Sequence, residues 1–103
     1  MDTEPVLPDR VFEAAAELFG LLSTPTRLRI VCLLCDGELN VGELLGRVDV
    51  SQPNMSQHLG TLYRAGMVSR RRAGAQVYYR IASERALLLC EAVCDARRQA
   101  VAS

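Results

Sequence analysis

The chain has 103 residues, half of them hydrophobic, which suits one domain with one modest core and argues against a disordered polymer. No apolar run approaches the roughly eighteen residues needed to span a bilayer, and the acidic, proline-containing stretch 1–10 lacks the apolar segment of a signal peptide. The expected setting is therefore the cytoplasm, away from any membrane, where cysteines usually stay reduced. Net charge is zero but unevenly laid out: residues 1–50 carry a net −5, whereas residues 51–80 carry five arginines and no acid. A basic patch inside a neutral chain is what phosphate contact requires. Charge alone leaves an ordinary solvated arginine face as the alternative.

Residues 1–8 read as a flexible tail and 9–103 as one domain. A first helix is predicted from Asp9 to Leu22, with Phe12, Ala15, Ala16, Phe19 and Leu22 recurring at helical spacing and Asp9 as N-cap. Thr24 caps and Pro25 opens a second helix, whose dense apolar run (Leu28, Ile30, Val31, Leu33, Leu34) marks it as central; Asp36-Gly37 ends it. Asn40 caps a short third helix. Ser51 begins a fourth, running to about Arg64, in which Met55, Leu59, Leu62 and Tyr63 form the apolar stripe. Residues 67–72 and 76–81 read as two strands of a hairpin turning at Ala73-Gly74, and Ser83 caps a last helix to about Ala100. The fold class is thus mainly α with a two-stranded β-wing: a winged helix-turn-helix of five helices.

In that architecture the second helix of the helix-turn-helix presents its N-terminal residues to base edges. Here these are Ser51, Gln52, Asn54, Ser56, Gln57 and His58, with Pro53 tolerated in a first turn whose amides are unpaired anyway. Gln and Asn can bond adenine bidentately, and Ser can reach bases or phosphates. The alternative, a polar surface helix, is weakened by the lack of any carboxylate from there through the wing. Arg64, Arg70, Arg71, Arg72, Gln76 and Tyr78 complete the expected DNA surface, with the hairpin arginines on phosphates or the minor groove. On this reading Arg71→Ala weakens binding to all DNA alike.

Three motifs, in order, resemble the ArsR/SmtB family of repressors. They are Leu22 to Ile30 (LSTPTRLRI), Glu38 to Leu44 (ELNVGEL), and Ser51 to Leu59 (SQPNMSQHL), joined by Gly66-Met67-Val68 and Tyr78-Tyr79-Arg80-Ile81 in the wing. The resemblance spans about residues 11–83. It implies a homodimer built on the first and last helices, a double-stranded, two-fold symmetric operator, and release when an inducer binds or modifies the protein. Two terminal amphipathic helices independently call for a partner surface.

Four cysteines fall in two pairs, Cys32 and Cys35 at i, i+3 and Cys90 and Cys94 at i, i+4, each pair sharing a helix face. The family's cysteines for arsenite or cadmium are replaced by Asn40 and Gly42, and residues 83–103 hold no histidine for its zinc site. Cys32 falls where sulfide- and redox-responsive members carry a thiol that pairs with a last-helix cysteine, there about one turn beyond Cys94. Three readings stay open. Cys32 and Cys94 (or Cys90) form a disulfide or polysulfide bridge; the thiolates bind a soft ion such as arsenite, zinc or cadmium, the one cofactor the sequence admits; or the cysteines are small buried hydrophobes. Enzyme chemistry is not expected. Cys32-Leu33-Leu34-Cys35 lies near a helix C-terminus, where the dipole opposes a reactive thiolate. A different class, a winged-helix protein-interaction module, is separated from DNA binding by retention on DNA or heparin at low salt.

Overall fold

A computed structural model describes residues 8–102; the side chains of Cys90, Cys94, Arg97 and Ala102 lie outside the described residues. The elements run α1 (Asp9–Leu21), α2 (Pro25–Cys35), β1 (Leu39–Asn40), α3 (Val41–Leu45), α4 (Gln52–Arg64), β2 (Val68–Ala73), β3 (Gln76–Ile81) and α5 (Glu84–Ala102). The five helices and the hairpin of the sequence reading are all present. The expected tail, residues 1–8, lies outside the description except for Pro8.

Short polar side chains set the helix starts. The Thr24 hydroxyl accepts from the Arg27 amide at 3.1 Å, Ser51 from Asn54 at 3.2 Å and Ser83 from Ala86 at 3.0 Å. Asn40 forms a full capping box: its side chain accepts from the Glu43 amide, and the Glu43 carboxylate accepts from the Asn40 amide. α1 differs from expectation at its start. Pro8 occupies the N-cap with no side-chain bond, and Asp9 is the first helical residue, where its charge complements the helix dipole.

The hairpin pairs Val68 with Ile81 through Ala73 with Gln76. The turn therefore falls on Gly74-Ala75, one residue beyond the expected place, with Gly74 at a φ of +63° that suits the first central position of a II′ turn. A third strand joins it: β1 pairs Leu39 with Tyr79 and Asn40 with Tyr78, giving the order β1-β3-β2. Two residues are too few for an alternation to show. Asn40 can pair because the extended backbone of an N-cap is also strand backbone.

The core is built from Ile30, Val31 and Leu34 of α2, Leu44 of α3, Met55, Leu59 and Leu62 of α4, Met67 just before β2, and Val68 and Tyr79 of the sheet. α2 is the central helix, as its dense apolar run requires, and it packs against α4, α5 and β3. α1 has no buried residue, leaving Phe12 and Phe19 61% and 69% exposed, and α5 leaves Leu87 and Leu88 open. Leu59→Ala, at a fully buried site, is expected to cost about 2–5 kcal/mol in urea unfolding. Asn40→Ala, which removes the cap, is expected to cost about 0.5–2 kcal/mol. A cost at Asn40 above that at Leu59 would contradict this division of labour.

Candidate nucleic-acid interface and thiol site

The orientation of α4 follows from its buried side. Met55, Leu59 and Leu62, at i, i+4 and i+7, point into the core, so the opposite side must face out. Ser51, Gln52, Asn54, Ser56 and Gln57 are all exposed at the N-terminal end, as the sequence reading placed them. Ser51 spends one acceptor on its capping bond. His58 is half-buried, and its Nδ1 lies 3.4 Å from a guanidinium nitrogen of Arg27. The same guanidinium donates to the carbonyls of Leu21 and Gly20, tying the end of α1 to the middle of α4. Arg27 carries no site signal in the sequence, because partners 31 positions apart leave no local pattern.

Tyr63, expected in the apolar stripe, is instead 40% exposed and carries the Arg70 guanidinium 4.0 Å from its ring centroid. A hydrogen bond to Tyr79 is the chief reason that the Arg70 pKa lies above its ordinary value. Arg64 folds back along α4 over Gly60, where a side-chain Cβ would come within 3.1 Å of it.

The wing sorts its arginines by strand alternation. Arg70 sits opposite buried Tyr79, and Arg72 opposite Val77, so these two share the face toward α4. With Tyr63, Arg71, Val77 and Tyr79 they border an open groove of about 440 Å³. Arg71 sits opposite Tyr78 on the other face. Its Nε and Nη2 donate to the two oxygens of Glu38 at 2.8 and 2.6 Å, and its guanidinium lies 4.7 Å from the Tyr78 ring centroid. The expectation that Arg71 is held ready for phosphate therefore meets a different arrangement: an acid from outside the 51–80 stretch already occupies it. The Arg71 hydrogen bond, aided by attraction to Arg71 and Arg80, holds the Glu38 carboxyl below its ordinary value. Gln76 is exposed at the wing tip and pairs with Ala73.

Cys32 and Cys35 differ in depth although they share a helix face. Cys32 is buried at 7% exposure and lines a largely apolar cavity of about 270 Å³ with Leu28, Leu33, Val93 and the stems of Arg29 and Arg47. Cys35, the last residue of α2, is half-buried at the core edge and stands in a disulfide. One of the three open readings put a bridge at Cys32; the disulfide stands at Cys35. The side chains of Cys90 and Cys94 lie outside the described residues. Among the described residues, no cluster of three or more His, Cys, Asp or Glu side chains could hold a metal ion. Alkylation of the folded protein after oxidation is expected to spare Cys35, which reacts only after reduction, and to label Cys32 only after unfolding. Rapid labelling of Cys35 in the oxidised, folded protein would contradict this arrangement.

Residues 24–70 match the family described as bacterial regulatory protein, arsR family. The chain is 43% identical over 89 residues to the biofilm growth-associated repressor of Agrobacterium fabrum, covering 86% of this chain and 75% of that protein. Among solved structures it resembles reduced HlyU from Vibrio cholerae (TM-score 0.79, 35% identity, 82% of this chain and 90% of that one). It also resembles the homodimeric winged helix-turn-helix DNA-binding domain of Mb0332 from Mycobacterium bovis (TM-score 0.74, 27% identity, 96% and 92%). With its winged helix, its exposed α4 face and a relative of this identity matched over three quarters of its length, the chain belongs to the arsR family of bacterial regulatory proteins.

Proposed function

We propose that this protein is a homodimeric, sequence-specific transcriptional repressor that leaves a two-fold symmetric operator when its cysteines are oxidised. The observation that carries the DNA-binding part is the exposed, carboxylate-free end of α4 (Gln52, Asn54, Ser56, Gln57) beside a wing face bearing Arg70 and Arg72. These side chains have the donor and acceptor pattern for base edges, and the arginines have the charge for phosphate. Such a regulator works where the chromosome is, in the bacterial cytoplasm, and needs no catalytic step of its own.

Dimerisation is supported by the open apolar side chains of α1 and α5 (Phe12, Phe19, Leu87, Leu88) and by the homodimeric M. bovis relative. A second copy supplies the cover that these helices lack and presents a second α4 to the next turn of the duplex.

The release step is a two-electron oxidation. Cys35 and one of the α5 cysteines, Cys90 or Cys94, lose two protons and two electrons to a peroxide or polysulfide and form one S–S bond. Support comes from the disulfide at Cys35 and from the packing of α2 against α5, so that a bridge at this contact bears on the helix that dimerises. The similarity to a relative solved in a reduced form fits this chemistry.

Fluorescence anisotropy with the protein's own promoter and a random duplex tests the reading. Gln57→Ala is expected to cut discrimination between the two by about 1–3 kcal/mol. Arg72→Ala is expected to weaken both alike and to make the log Kd against log salt slope shallower by about 0.9. Cys35→Ser is expected to keep operator binding in the presence of oxidant. Wild-type binding indifferent to sequence would favour the protein-interaction reading, and an oxidant response surviving in Cys35→Ser would remove the thiol step from this residue.

A further inference from the structure

The acid-free stretch 51–80 does not stay acid-free once folded. β1 lies alongside β3, and the residue just before it, Glu38, reaches across the outer face of the sheet to Arg71 on β2. The contact is bidentate, with both carboxylate oxygens taken by the guanidinium fork at 2.6 and 2.8 Å. That fork is the one with which arginine grips a phosphate, and stacking on Tyr78 occupies one of its faces as well. Among the described residues, Arg70 and Arg72 on the opposite face have no carboxylate in an ion pair.

We propose that Glu38 is an internal phosphate mimic that holds Arg71 away from DNA and so restrains the sequence-independent, phosphate-driven part of DNA binding. The inference rests on the DNA-binding reading above and adds to it a residue that limits affinity. The pair is open to solvent, with side chains 55% (Arg71) and 29% (Glu38) exposed, so it is a competitor in equilibrium with DNA and not a fixed staple. Two features keep it in place. The β1 pairings Leu39–Tyr79 and Asn40–Tyr78 fix the reach of Glu38, and the Asn40 capping box anchors the same turn. The carboxyl is held below its ordinary value, so the contact is complete at neutral pH and is lost only on acidification into and below the carboxylate range.

The test is the affinity of a fluorescein-labelled random-sequence duplex for the full chain, measured from roughly 50 to 300 mM KCl. Glu38→Gln keeps the size and one acceptor but removes the charge. It is expected to tighten low-salt binding about two- to five-fold and to steepen the salt slope by about 0.9, one further phosphate. Arg71→Ala alone is expected to leave both quantities near wild type, and Glu38→Gln with Arg71→Ala to cancel the gain. A merely structural role for Glu38 would weaken binding or leave the slope unchanged. An unchanged slope in a folded Glu38→Gln protein, a gain that survives in the double variant, or a shallower slope in Arg71→Ala alone would each overturn the proposal while leaving DNA binding intact. Failure of the wild type to bind the duplex at low salt would remove both readings together.

Discussion

The rotation of α4 about its own axis is the constraint on which the rest depends. Met55, Leu59 and Leu62 are fully buried, and a helix with three such anchors on one side has no freedom to turn. That burial, and not any property of the polar residues themselves, puts Gln52, Asn54, Ser56 and Gln57 outward together. α2 supplies the other half of the constraint, since Ile30, Val31 and Leu34 form the surface on which α4, α5 and the sheet rest. Hydrophobic burial is thus what aims hydrogen-bonding groups at a partner.

Strand alternation does for the wing what burial does for α4. Three consecutive arginines look like one cationic block in the sequence, yet the pleat divides them. Arg70 and Arg72 look toward α4 across a shared groove, while Arg71 looks the other way and meets Glu38. Net charge counted along the chain therefore overstates what the wing offers to a polyanion. Arg27 shows a related economy: one guanidinium satisfies carbonyls at the end of α1 and touches His58 on α4, joining a helix with an open apolar face to the helix that presents the polar one.

Most of the fold was legible because its signals are local. Thr24, Asn40, Ser51 and Ser83 each bond an amide three residues on, so each cap could be read from a few letters. The α4 stripe was legible from spacing alone, apart from Tyr63, which the wing claims through Arg70. What escaped is non-local. β1 exists only because β3 comes back beside it, and Glu38 and Arg71 are 33 positions apart. The cysteines mark the same boundary. Spacing says that Cys32 and Cys35 share a face, but only the packing of α2 separates the buried one from the half-buried one.

The central claim, that the outer face of α4 reads duplex DNA from a two-fold dimer, is tested most directly by selecting bound sequences from a random duplex library. The expected result is an inverted repeat whose half-sites lie about one helical turn, roughly 34–36 Å, or a multiple of it apart. A pool that shows no sequence motif after repeated rounds, or a motif without two-fold symmetry, would contradict it.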